Sequence, residues 1–191
     1  MASTPSSRRA LALAVGARVR ELREARGLSL GDLAAQGGIG KGTVSELETG
    51  QRNPTLETLF AITTTLGVPL SAALPTGETH TADAVAVSGE AIEAVLIDRF
   101  IDIAATTELY RVTVAAGRSQ YSAPHALGVT EHWIVYAGLL DLGPIGAPAR
   151  LGAGESMTFA GDVPHRYQAH NDADVAAALL VRYPETSARG T

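Results

Sequence analysis

Two stretches of this 191-residue chain concentrate side chains that could do chemistry. The first runs from Lys41 to Glu46 and places cationic, hydroxyl and carboxylate groups beside a few apolar positions. On one face of a helix, such groups can contact the base edges and phosphates of nucleic acid. The second stretch is the C-terminal half, which carries His125, His132, His165 and His170 together with Glu131. Imidazole and carboxylate groups can ligate a divalent ion or hydrogen-bond to one another.

Composition excludes several other kinds of site. The chain has no cysteine, so disulfides, thiolate zinc sites, iron–sulfur clusters and cysteine nucleophiles are ruled out. Apolar residues make up 46% of the chain, which is ordinary for a globular protein. Because no apolar run reaches the ~18 residues of a membrane span, we expect no membrane association and a cytoplasmic location.

Charge is distributed unevenly between the two halves. Residues 1–78 carry eight basic and seven acidic side chains, whereas residues 79–191 carry seven basic and thirteen acidic ones. The net charge of −5 would argue against a polyanionic partner. The uneven split removes that objection for the N-terminal half.

The N-terminal half has the apolar spacing of helices. Val15, Val19 and Leu22 recur at helical intervals, and Gly27 is a plausible end for that helix. Ser29 is expected to cap a second helix with Asp32 as its capping-box partner. A third helix is predicted over 41–49, a fourth over 56–66, and a short fifth after residue 69.

The C-terminal half has the pattern of strands. Apolar or alternating runs at 94–101, 109–114, 133–136, 156–159 and 175–183 are separated by Gly, Pro and Asp. The pattern predicts a multidomain α + β protein. We expect a flexible N-terminal tail at 1–12, a helical domain at 13–74, a linker at 75–90 and a β domain at 91–185.

The helical half resembles the XRE/Cro-type helix-turn-helix family of transcriptional regulators. The resemblance is carried by GLSLGDLA at 27–34, GIGKGTVSELETG at 38–50 and RNPTLETL at 52–59. It implies a five-helix, lambda-repressor-like domain whose third helix reads the major groove of a double-stranded DNA operator.

The same resemblance assigns DNA contacts and one ion pair. It places Arg23 and Glu48 in a structural ion pair between the first and third helices. It assigns phosphate contacts to Ser29, Thr49 and Arg52. Contacts to base edges and nearby phosphates are implied for Lys41, Gly42, Thr43, Ser45 and Glu46.

The C-terminal half resembles the two motifs of the cupin family, in PHALGVTEHWIVYAGLLDLG at 124–143 and GAGESMTFAGDVPHRYQAHN at 152–171. The family implies a double-stranded β-helix, or jelly-roll barrel. It also implies one divalent transition metal (Zn, Fe, Mn or Ni) held by His125, Glu131 and His165. Strand alternation places Trp133 on the face of Glu131 and Tyr167 on the face of His165. We expect the effector pocket to be lined by Tyr121, Trp133 and Tyr167.

One metal-binding position of the cupin pattern is absent here. Metal cupins usually present a histidine two residues before the position of His125, where this chain has Ala123. Three ligands can still hold an ion, with lower affinity. Without an ion, the three side chains would hydrogen-bond to one another or bind a small anion. The remaining histidines, His80, His132 and His170, are expected at the surface.

Together, the two resemblances predict a homodimeric, effector-responsive transcriptional regulator that binds a palindromic operator, with repression as the expected mode, and not an enzyme. One alternative is a metal-dependent cupin enzyme, a dioxygenase or isomerase, with an accessory helix-turn-helix domain. Another is a repressor whose second domain only oligomerises. That alternative predicts no buried polar cluster at His125, Glu131 and His165.

Overall fold

The structure is a computed structural model that describes residues 5–75 and 86–185. The chain divides into two compact units, residues 1–89 and 90–191. The first unit is helical, and the second is built from antiparallel strands. Residues 1–4 of the predicted tail and residues 76–85 of the predicted linker lie outside the described residues, as does His80.

Four α-helices and one 3-10 helix make up the described helices of the first unit. The capping box of Ser29 and Asp32 starts the second helix, as predicted. Gly67 ends the fourth helix in the left-handed conformation, with φ of 60°. Among the described helices, none is both long and apolar enough to cross a membrane. The bounds are α1 Pro5–Ala25, α2 Leu30–Gln36, α3 Lys41–Glu48, α4 Leu56–Leu66 and the 3-10 helix Leu70–Ala73.

Two features of this unit differ from the sequence prediction. α1 begins at Pro5, so residues 5–12 are helical instead of forming a flexible tail. Proline is favoured in the first helical turn, and the alanines and leucines of residues 10–14 are strong helix formers. The expected fifth helix is only the four-residue 3-10 helix. Pro69 and Pro75 bracket this segment, and the residue before a proline is driven away from the helical conformation.

The contact between α1 and α3 depends on Gly16. A Cβ atom at this position would lie 2.2 Å from the carbonyl oxygen of Leu47, so only glycine allows this approach. Val15 and Val19 of α1 and Val44 of α3 are fully buried. The crossing therefore fixes how α3 presents its opposite, polar face.

The second unit is a sandwich of two antiparallel sheets. β1 (Ala86–Ser88) precedes this unit. Within residues 90–191 the strand orders are β2–β3–β10–β5–β8 and β4–β9–β6–β7. The architecture fits the jelly roll that the cupin resemblance implies. The remaining bounds are β2 Ile92–Ile101, β3 Ala105–Val114, β4 Ser119–Ser122, β5 Thr130–Ala137, β6 Leu139–Pro144, β7 Ala149–Gly152, β8 Ser156–Ala160, β9 His165–Ala169 and β10 Val175–Pro184.

The strand register places two carboxylates on the interior face. Glu108 of β3 and Glu131 of β5 both lie opposite Val181 of β10, so the three residues form one row. Both carboxylates are buried. Glu108 accepts a hydrogen bond of 2.5 Å from the hydroxyl of Tyr110, and Glu131 belongs to the cluster described below.

Candidate nucleic-acid interface and metal centre

α2, a glycine-containing turn and α3 form the unit that carries the predicted DNA contacts. The turn closes through a hydrogen bond of 2.9 Å from Ile39 N to Ala34 O, and Gly38 adopts a φ of 63°. On α3, Val44 and Leu47 are buried. The residues assigned to base contacts lie on the other side: Lys41, Gly42 and Glu46 are exposed, and Thr43 and Ser45 are half-buried.

Arg23 and Glu48 join α1 to α3 through two parallel hydrogen bonds. Arg23 Nε donates to Glu48 Oε1 at 2.7 Å, and Nη2 donates to Oε2 at 2.8 Å. Nη1 also donates to the carbonyl oxygen of Leu28 at 2.8 Å. The hydrogen bond to Glu48 raises the pKa of Arg23, so this residue stays charged. These charge-assisted hydrogen bonds tie α3 to α1.

The residues assigned to phosphates have varied surroundings. Ser29 is occupied as the cap of α2. The hydroxyl of Thr49 donates to the carbonyl oxygens of Ser45 and Glu46, at 2.9 and 3.1 Å. Donation from Thr49 to a phosphate would therefore require another rotamer. Arg52 Nη1 lies 3.3 Å from Glu46 Oε2 and remains half exposed.

His125, Glu131 and His165 lie together in the interior of the second unit. Nε2 of His125 is 2.8 Å from Glu131 Oε1, and Nε2 of His165 is 3.4 Å from the same oxygen. None of the three side chains is more than 2% exposed. All three ligand atoms lie within 4.8 Å of one another, close enough to share one ion. A second domain that only oligomerises is expected to have no buried polar cluster at these three residues, so the cluster argues against that alternative.

Two sheets and one loop bring this cluster together. Glu131 lies on β5 of one sheet and His165 begins β9 of the other. His125 is held by a backbone hydrogen bond of 2.9 Å from its N–H to Gly161 O. A Cβ atom on Gly161 would lie 3.0 Å from His125 Cδ2 and 3.3 Å from Glu131 Cγ. Glycine therefore leaves the space that this ring and carboxylate occupy.

Hydrogen bonds keep Glu131 ionised despite its burial. Burial by itself would raise the pKa, but the hydrogen bonds with His125 and Tyr167 outweigh this effect and lower the pKa of Glu131 to about 2. Oε2 accepts hydrogen bonds from Trp133 Nε1 at 2.8 Å and from the hydroxyl of Tyr167 at 2.6 Å. The carboxylate is therefore a fixed negative charge.

The tautomer of His165 creates a polar mismatch. Nδ1 lies 2.7 Å from the carbonyl oxygen of Val163, which can only accept, so Nδ1 carries the proton and Nε2 carries a lone pair. Nε2 is buried and has no hydrogen-bond partner among the described residues. Burial lowers the pKa of His165, which favours the neutral ring. A lone pair and a carboxylate oxygen thus face each other at 3.4 Å, an arrangement that a cation between them would stabilise.

Comparison with known proteins identifies the family. The helix-turn-helix (HTH_3) family matches residues 19–72. The HTH-type transcriptional regulator SutR of Escherichia coli (strain K12) is 32% identical over 168 residues, which cover 88% of this chain and 94% of SutR. The chain belongs to the HTH-type transcriptional regulators.

A solved HTH_3 family transcriptional regulator from Vibrio cholerae resembles this regulator with a TM-score of 0.78 and 26% identity, over 93% of this chain and 99% of that one. The cupin domain of an XRE family regulator from Enterobacter cloacae is 32% identical, covering 41% of this chain and 83% of that one, with a TM-score of 0.40.

One of the expected pocket residues of this regulator does not face the interior. Tyr121 is 59% exposed, because β4 turns its neighbour Gln120 inward instead. Gln120 Oε1 accepts from Ala91 N and Ile92 N, both at 3.3 Å, which fixes that orientation. The assignment of Tyr121 to an interior pocket is therefore wrong. Trp133 and Tyr167 are buried, with ring centroids 4.7 Å apart.

The two other described histidines of the regulator lie outside the cluster. His132 is half-buried, with Nδ1 2.6 Å from Thr158 Oγ1, and His170 is exposed, with Nδ1 2.9 Å from Asp141 Oδ2. Sequence reasoning missed two supports of the cluster, namely Gly161 and the carbonyl oxygen of Val163. Gly161, shortly before Pro164–His165, could have been noticed as a glycine close to a candidate ligand. The carbonyl oxygen of Val163 could not, because every residue type has a backbone carbonyl.

Proposed function

We propose that this regulator binds a palindromic DNA operator as a homodimer and that a ligand bound in its second unit changes its affinity for that operator. The exposed face of α3 would read base edges, and two copies would occupy half-sites about 34–36 Å apart. Repression is the expected mode, because occupancy of an operator blocks transcription until the ligand releases it. A ligand can shift this balance only as far as its affinities for the two states differ.

The observation that carries the ligand-binding half of the proposal is the contact of His165 Nε2 with Glu131 Oε1. Two imidazole nitrogens and one carboxylate oxygen are the donors that Zn, Fe, Mn or Ni accept. His165 already has the hydrogen bond to a backbone carbonyl that typically orients a metal-binding histidine. His125, Glu131 and His165 would hold the ion, which would act as a Lewis acid toward an oxygen or nitrogen atom of the effector.

The absent fourth ligand agrees with a binding role. The side chain of Ala123 has no atom that could bind a metal, and the residue is exposed. A structural zinc site has four protein ligands, whereas three leave a position for an exogenous group. We expect that position to be used by the effector or by water.

The test is metal analysis combined with operator binding. The protein is purified from cells without chelator, its metal content is measured, and its DNA affinity is compared before and after EDTA and after re-addition of Zn²⁺ or Mn²⁺. His165→Ala should lose the metal and the EDTA response while its basal DNA affinity stays intact. His132→Ala is the matched control, because it removes a half-buried histidine that neighbours Glu131 in the chain but lies outside the cluster, and it should keep both. A wild-type protein without bound metal and without any response to added ions would refute the metal-dependent proposal.

The ligand set also supports a second candidate. Two histidines and one carboxylate are the ligands of non-haem iron oxygenases, so the second unit could be a metal-dependent enzyme. Oxygen uptake by the Fe²⁺-loaded protein, lost in His165→Ala, would favour the enzyme. Operator binding that responds to the metal without turnover would favour the regulator.

A further inference from the structure

The two oxygens of the Glu131 carboxylate have different partners. Oε2 accepts hydrogen bonds from Trp133 Nε1 and the Tyr167 hydroxyl, whereas Oε1 lies against the two imidazoles. An indole N–H can only donate. A tyrosine hydroxyl has one proton to donate, and that of Tyr167 is directed at Oε2 at 2.6 Å. Only Oε1 is therefore directed at the nitrogens that would share an ion.

The two donors come from both sheets. Trp133 lies two residues after Glu131 on the same face of β5, and Tyr167 lies two residues after His165 on β9. Both side chains are at most 3% exposed, and their rings contact each other. Each strand therefore carries one metal-ligand candidate and one group that restrains the carboxylate.

We propose that Trp133 and Tyr167 are positioning residues that hold Glu131 as a one-oxygen metal ligand, instead of residues that contact the effector. This inference rests on the proposed metal site. With Oε2 occupied by two donors, the carboxylate cannot rotate to offer both oxygens to an ion. The coordination positions that a second oxygen would take then stay available to an exogenous group.

The experiment removes one donor and keeps the ring. Tyr167→Phe deletes the hydroxyl that binds Oε2. Tyr110→Phe is the matched control, because it deletes another buried tyrosine-to-carboxylate hydrogen bond in the same interior, to Glu108. Trp133→Phe tests the same carboxylate from the other donor, should Tyr167→Phe fail to fold by circular dichroism. The probe is Co²⁺, with affinity measured by titration and coordination followed by visible absorption.

We expect Tyr167→Phe and Trp133→Phe to bind Co²⁺ about 10- to 100-fold more weakly than wild type, as is typical when a group supporting a metal ligand is lost. We also expect a weaker absorption band, because a freed Oε2 raises the coordination number. Tyr110→Phe should match wild type in both readouts. If Tyr167→Phe kept the wild-type Co²⁺ affinity and spectrum, or if Tyr110→Phe lost as much affinity as Tyr167→Phe, the positioning role would be refuted while the metal site would stand. Absence of Co²⁺ binding by wild type would instead overturn the metal site itself, and the inference with it.

Discussion

Replacing Arg23 by methionine tests how the first unit holds α3 in place. The substitution keeps most of the aliphatic stem and removes the guanidinium that bridges α1 and α3. The side chains of Arg23 and Glu48 are only 10% and 6% exposed, and two hydrogen bonds of 2.7 and 2.8 Å join them. The variant would also leave the Leu28 carbonyl without its donor at 2.8 Å.

The expected loss in the free energy of unfolding comes from the Glu48 carboxylate, which stays charged after Arg23 is replaced. Removing one partner of a buried ion pair costs about 3–5 kcal/mol, because the other charge stays poorly solvated. We take the lower end, about 3 kcal/mol, since neither side chain of the pair is completely buried. For a unit of this size, that loss corresponds to a fall in Tm of at least about 12 °C.

The assay is urea unfolding of the full chain, followed by far-ultraviolet circular dichroism, in which the helical first unit gives most of the signal. Arg20→Met is the matched control: Arg20 pairs with Glu24 at 2.8 Å on the same helix, but the side chains are 64% and 52% exposed. We expect no measurable shift of its midpoint. The double variant Arg23→Met/Glu48→Leu should recover most of the loss, because no charge remains buried. A midpoint for Arg23→Met equal to that of Arg20→Met would refute the reasoning.

Three further predictions concern the DNA contact, the cluster and its titration. Lys41→Ala should weaken operator binding, reduce the slope of log affinity against log salt concentration by about one, and leave the melting curve unchanged. Unaltered binding in a gel-shift titration would exclude a phosphate or base contact by Lys41. Gly161→Ala should reduce metal affinity, because its Cβ would lie 3.0 Å from the His125 ring; calorimetric titration with Zn²⁺ equal to wild type would contradict this. The free energy of unfolding of the metal-free second unit should fall as the pH drops from about 6.5 toward 2. Folding lowers the pKa of His165 from its ordinary 6.5 and that of Glu131 from 4.5 to about 2. The unfolded chain therefore binds protons at a higher pH than the folded one, and acid favours unfolding. Thermal melts of His165→Leu should show a weaker dependence near pH 6, and a slope identical to wild type would count against the buried neutral ring.

The helical unit could be predicted in detail because its signals are local. The capping box at Ser29 and the glycine that ends α4 need only neighbouring residues. What the sequence could not provide is the close approach at Gly16, which depends on a carbonyl oxygen 31 positions away. The length of α1 was underestimated because a basic, alanine-rich start lacks the apolar spacing of an amphipathic helix.

The second unit was predicted unevenly. The five runs assigned as strands all lie in the sheet that contains β10, where strands are long or apolar. β4, β6 and β7 of the other sheet were missed, because they span four to six residues and two of them contain glycine or proline. The error at Tyr121 has the same origin: the facing of a four-residue strand is set by its partner β9, not by its own pattern.

The position of Trp133 gives this regulator a built-in optical probe. It is the only tryptophan in the chain, and its indole nitrogen lies 2.8 Å from the Glu131 carboxylate. Intrinsic fluorescence therefore reports on a single place in the molecule, and ions or candidate metabolites can be screened by quenching without any label. A change of that emission on adding operator DNA, which is bound by the other unit, would reveal that the two units communicate.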